Sequence, residues 1–73
     1  MEIKRYLKEM ANDIMDKIIN DKKYGSAFPY YKKYVEKIQK AIKLAEQGYL
    51  TNIETIGEIM AAYDDFVYEA YTN

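Results

Sequence analysis

Residues 29–47 read PYYKKYVEKIQKAIKLAEQ, and their apolar and charged side chains alternate with a helical period. Tyr31, Tyr34, Val35, Ile38, Ala41, Ile42 and Ala45 recur at three- and four-residue steps, which stacks them on one helical face. Lys32, Lys33, Glu36, Lys37, Lys40 and Lys43 take the opposite side. Pro29 suits a first helical turn, where its missing N–H has no intrahelical use, and it biases Phe28 toward extended backbone. Gly48 then reads as the left-handed residue that closes the helix. A helix with one apolar stripe needs neighbours to cover it.

Both neighbours are legible on either side. Upstream, Ile3, Leu7, Met10, Ile14 and Ile18 form a second stripe, widened by Met15 and Ile19 on one flank and by Tyr6 on the other. That spacing predicts a helix over residues 2–24, with Lys22 and Lys23 complementing its C-terminal dipole and Gly25 as its cap. Downstream, Thr51-Asn52-Ile53-Glu54 has the form of a capping box, in which the Thr51 hydroxyl and the Glu54 carboxylate satisfy reciprocal backbone donors. The third helix is predicted over 52–71, with Ile53, Ile56, Ile59, Met60, Tyr63, Phe66, Val67 and Ala70 on its inner face. Gly57 costs about 1 kcal/mol there relative to alanine and permits a close helix approach. Connections this short favour antiparallel neighbours. The predicted fold is all-α: one domain, residues 1–73, built as a small antiparallel three-helix bundle.

Composition removes several kinds of chemistry. The 73 residues include no cysteine and no histidine, so disulfides, thiolate sites and the commonest acid–base group and metal ligand are excluded. Ser26 is the only serine and has no glycine-rich elbow around it. Glu54 and Glu58 lie on a polar face, where carboxylates keep the properties of free side chains and tune no acid–base reaction. Asp64-Asp65 lacks the alternating ligands and central glycine of a calcium loop, and no nucleotide-binding glycine pattern occurs. The expectation is a protein that is not an enzyme and carries no cofactor or metal. No apolar run is long enough to span a bilayer, and the N-terminus has no signal-peptide form; a cytoplasmic location in a bacterial host is expected. A single arginine, no tryptophan and many lysines, isoleucines and tyrosines fit AT-rich coding DNA, as in a low-GC bacterium, its phage or a plasmid.

The distribution of charge is the most informative feature. All eleven basic residues lie within residues 1–43 beside six acids, giving +5, whereas residues 44–73 hold six acids and no base, giving −6. At ~100° per residue, Glu54, Glu58, Asp65 and Glu69 fall on one ridge of the third helix. The pairs Glu54–Glu58 and Asp65–Glu69 each cost about 0.2–0.5 kcal/mol, and no cation on that helix relieves them. Either lysines from another helix lie across the groove, or the ridge meets a basic surface on a partner protein, imitating a row of phosphates. Tyr68, next to Gly57 and Ala61 on the outer side, is the expected apolar anchor of that contact.

Two other readings stay open. Lys32, Lys33, Lys37, Lys40 and Lys43 form a face that phosphates would accept, with Tyr30 and Tyr31 near it to stack on bases, although one arginine in the chain argues against base-specific readout. Met15 and Ile19 form a patch that a second copy would cover, which makes a structural or immunity-type homodimer the third reading. The expected function is non-enzymatic protein binding, as an inhibitor or regulator carried by a phage or mobile element. Anti-CRISPR and other anti-defence proteins are analogous in size, acidity and composition, with no shared motif.

Overall fold

A computed structural model describes residues 4–21 and 31–72. They form three α-helices: α1 (Arg5–Ile19), α2 (Lys32–Glu46) and α3 (Asn52–Thr72). Each helix touches the other two, and the contact between α2 and α3 is the most extensive. Lys8 near the start of α1 pairs with Glu46 at the end of α2, and Lys33 at the start of α2 pairs with Glu69 near the end of α3. Consecutive helices therefore meet start to end, as antiparallel neighbours do.

The core is a set of narrow stripes. Leu7, Ala11, Ile14 and Ile18 are buried on α1; Tyr34, Ile38, Ala41 and Ala45 on α2; Thr55, Ile59, Ala62, Phe66 and Ala70 on α3. Every helix contributes at least one buried alanine beside the larger Phe66, Leu7, Ile18, Ile38 and Ile59. The polar member, Thr55, is satisfied within its helix, because its hydroxyl donates to the Thr51 carbonyl at 2.7 Å.

The turn between α2 and α3 is fixed by local chemistry. Gly48 has φ 85°, its N–H donates to the Ala45 carbonyl, and the Tyr49 N–H donates to the Leu44 carbonyl. This pair of bonds is the Schellman arrangement that satisfies the last carbonyls of a helix. Three residues later the capping box forms as predicted: the Glu54 N–H donates to the Thr51 hydroxyl at 3.1 Å, and the Thr51 N–H to the Glu54 carboxylate at 2.9 Å.

Three expectations either differ from the structure or lie beyond the described residues. The first helix stops at Ile19, not at residue 24: Asn20 is its C-cap, and a tighter bond from the Asp21 N–H to the Ile18 carbonyl closes the turn. The second helix begins at Lys32 among the described residues; its expected start at Pro29 lies outside them, as do Ile3, Lys22, Lys23, Gly25, Phe28 and Tyr30. The third concerns rotation. Ile53 is 82% exposed and Met60 40%, whereas Thr55 and Ala62 are buried in the places expected for them. Thr55 and Ala62 take the inner side, Ala62 lining one groove with Ala41 of α2, and the bulkier Ile53 and Met60 are left outside. Among the described residues no helix is long and apolar enough to cross a membrane.

Candidate functional site

The four ridge carboxylates of α3 have different surroundings. Glu54 is committed to its own helix end, where the Thr51 N–H and then its hydroxyl hold the carboxyl below its ordinary value of 4.5. Glu69, one turn from the other end, sits where the helix dipole disfavours an anion. It is stabilised there by α2: it accepts a hydrogen bond from the Tyr34 hydroxyl, and the Lys33 ammonium lies 3.1 Å away.

Tyr34 is the keystone of this cluster. Its ring is buried and stands edge-on to Phe66, with centroids 5.6 Å apart and planes at 75°. Lys33 and Lys37 lie over the same ring at 5.1 and 5.7 Å. The Tyr34 hydroxyl and then Lys33 keep the Glu69 carboxyl below 4.5. Burial first, and then the bond to Glu69, raises Tyr34 above 10.0; Glu69 and then Tyr34 raise Lys33 above 10.5. The signs differ. The lowered carboxyl contributes stability that is present above 4.5 and lost as pH falls, and the raised phenol and ammonium contribute stability present below about 10 and lost as pH rises. Thermal melts followed by circular dichroism are therefore expected to plateau between about pH 6 and 9 and to decline on both sides. In Tyr34→Phe the alkaline decline should shrink and the acid decline become shallower; an unchanged alkaline limb would show that Tyr34 does not ionise against the fold.

Glu58 and Asp65 line a groove between α2 and α3 of about 360 Å³, with Lys37 and Lys40 on the opposite wall and Ala41 and Ala62 among the lining residues between them. Neither carboxylate forms an ion pair with a described residue. The basic and acidic halves of the sequence thus face each other across one groove, joined directly at the Lys33–Glu69 end.

The remaining candidates scatter. Tyr68 is 70% exposed and, with Asp65, edges a shallow hollow beside Lys33 and Lys37. Lys32 pairs with Glu36 at 4.0 Å, and Lys43 is exposed at the far end of α2. Met15 packs against the core, so of the expected dimer patch only Ile19 is exposed. Two features were missed by the sequence reading. One is Tyr34 as a polar joint as well as a core residue; its signal was a tyrosine on an apolar stripe flanked by lysines. The other is the outward position of Ile53 and Met60, alongside the exposed Asp64. Comparison with protein-family models, with curated proteins and with solved structures finds no match.

Proposed function

We propose that this chain is a non-enzymatic protein-binding module that uses α3 to engage a partner with a basic surface, of the kind that otherwise holds nucleic acid. The observation that carries this reading is the exposed side of α3. Glu58, Asp64 and Asp65 are exposed without an ion pair to any described residue, on a helix with no base, beside the uncovered Ile53 and Tyr68. Carboxylates arranged around apolar side chains supply both steering and anchorage to a basic protein. Of the four ridge acids, Glu58 and Asp65 are the ones available to it, because Glu54 caps its helix and Glu69 is held by Lys33 and Tyr34. The small acidic inhibitors of phages and mobile elements are the setting that this reading fits, by analogy of size and charge.

Nucleic-acid binding is the second reading, favoured by Lys40 and Lys43, which form no ion pair with a described residue. It is weakened by the engagement of Lys33 with Glu69 and of Lys37 with the Tyr34 ring. A homodimer through α1 has less support, since Met15 is already packed. Fluorescence anisotropy with single- and double-stranded oligonucleotides at about 50 and 200 mM salt separates the first two. The expected result is no binding at either salt. Binding that weakens steeply with salt and disappears in Lys33→Glu/Lys37→Glu/Lys40→Glu would sink the protein-binding reading. In parallel, a lysine-rich peptide should bind the wild-type chain and lose at least tenfold in affinity for Glu58→Lys/Asp65→Lys.

A further inference from the structure

Helix α3 carries two seams. The inner one, Thr55, Ile59, Ala62, Phe66 and Ala70, is covered by the bundle. The outer one is Ile53, Gly57, Met60, Asp64, Val67 and Tyr71, spaced by alternating four and three residues. That is the heptad spacing by which one helix receives another, and at ~100° per residue its centre lies roughly 140° around α3 from the inner seam. Ile53, Gly57, Met60 and Asp64 on it are all exposed, whereas Val67 packs partly against the core and the Tyr71 hydroxyl donates to Asp21 beyond the end of α1, so the open part of the seam is Ile53 to Asp64. We infer that this outer seam is the docking site for an amphipathic helix of another protein, one whose apolar face is interrupted by a single arginine or lysine placed against Asp64.

Gly57 supports approach from outside. A methyl group at that position would meet nothing within 4 Å among the described residues, so their packing does not require a glycine there, although glycine in mid-helix costs about 1 kcal/mol relative to alanine. A second helix laid on the seam does use it, since the missing side chain lets a large residue of that helix seat against the α3 backbone.

Asp64 defines the chemistry of the occupant. It stands between Met60 and Val67 along an otherwise uncharged seam, and it has no ion pair with a described residue. Covering it with an apolar face would strand a carboxylate away from water, which is strongly unfavourable unless a cation meets it. The same argument excludes a second copy of α3. Antiparallel self-pairing with Ile53 opposite Tyr71 would set Asp64 against Met60, and α3 offers no base to neutralise it. Asp65, which flanks the seam on one side, extends the match to a partner helix with a basic edge.

This inference rests on the protein-binding reading, and its test is chosen to fail separately. The probes are two synthetic four-heptad helices with leucine seams and lysine flanks, one carrying arginine and the other leucine at the central seam position. Titration by fluorescence anisotropy is expected to show saturable one-to-one binding, with the arginine peptide at least tenfold tighter. Asp64→Leu should reverse that preference. Ile53→Lys, at a position that the bundle barely touches, should weaken both peptides at least tenfold while leaving the circular dichroism melt unchanged. Equal binding of the two peptides, indifference to Ile53→Lys, or no binding of either would overturn the inference. So would a dimer in sedimentation equilibrium that Ile53→Lys dissociates, because the seam would then belong to a second copy. If the seam variants have no effect while Glu58→Lys/Asp65→Lys abolishes peptide binding, the protein-binding reading stands and the seam does not. If oligonucleotides bind instead, both fall.

Discussion

Phe66→Ala is expected to lose about 3–5 kcal/mol of stability, enough to leave the chain close to its folding midpoint at 25 °C. A chain of 73 residues has on the order of 4–10 kcal/mol in total. Phe66 is 2% exposed and is the largest fully buried side chain among the described residues, so truncation removes both its transfer free energy and the contacts lining the resulting cavity. The loss does not stop at packing. Phe66 supports the Tyr34 ring, and Tyr34 in turn holds the Glu69 carboxylate through its hydroxyl. A cavity at Phe66 therefore releases the joint that fixes the end of α3 against α2. Urea denaturation followed by far-ultraviolet circular dichroism measures the loss directly. Phe66→Leu, which keeps most of the volume, should cost less than about 1.5 kcal/mol. If Phe66→Ala costs under 1 kcal/mol, the aromatic pair is not the centre of the α2–α3 contact.

The same chain of contacts explains how charge is divided on α3. Glu69 is at the dipole-disfavoured end of its helix and would be a poor place for an exposed anion, yet Lys33 and Tyr34 are built against it. Glu54 is at the favoured end and closes the capping box. The acids without an ion pair to a described residue lie in the middle of the helix: Glu58 and Asp65 beside the groove, and Asp64 on the outer seam, where the proposed partner would meet them. The apparent excess of acid on α3 is thus partly structural, and the part that is not structural is confined to about two turns.

These relations were only partly legible in the sequence. Helix α2 was readable because its apolar and charged residues separate cleanly by helical period, and its buried residues Tyr34, Ile38, Ala41 and Ala45 all lie on the predicted stripe. The turn was readable because Gly48 and the Thr51–Glu54 box act through local hydrogen bonds alone. The end of α1 was not, because Asp21, Lys22 and Lys23 are compatible with another helical turn and only the structure places the stop at Ile19. The Lys33–Tyr34–Glu69 joint was legible only as one of two alternatives, that lysines of another helix lie across the groove from the ridge. Glu69 lies 35 residues from Tyr34 and 36 from Lys33, and their meeting is set by how α2 lies along α3, which no local pattern encodes.

The rotation of α3 yields the second large effect, and two isoleucines six residues apart read it out. Ile59→Ala is expected to cost about 2–5 kcal/mol, because Ile59 is 0% exposed and its removal leaves a cavity between all three helices. Ile53→Ala should change stability by less than about 0.5 kcal/mol, with any change toward greater stability, since alanine is the better helix former and Ile53 loses almost no burial. Periodicity could not make this distinction. Both isoleucines belong to seams of heptad-like spacing, and a reading that favours large apolar residues turns Ile53 and Met60 inward. The observed rotation instead turns the small Ala62 and Thr55 inward, and Thr55 satisfies its own hydroxyl on Thr51. Paired urea titrations of the two alanine variants decide the matter. A difference of 2 kcal/mol or more between them fixes the inner seam on Ile59. Equal losses would mean that α3 is rotated toward Ile53, and the outer seam would then be part of the core, with no face left for a partner helix.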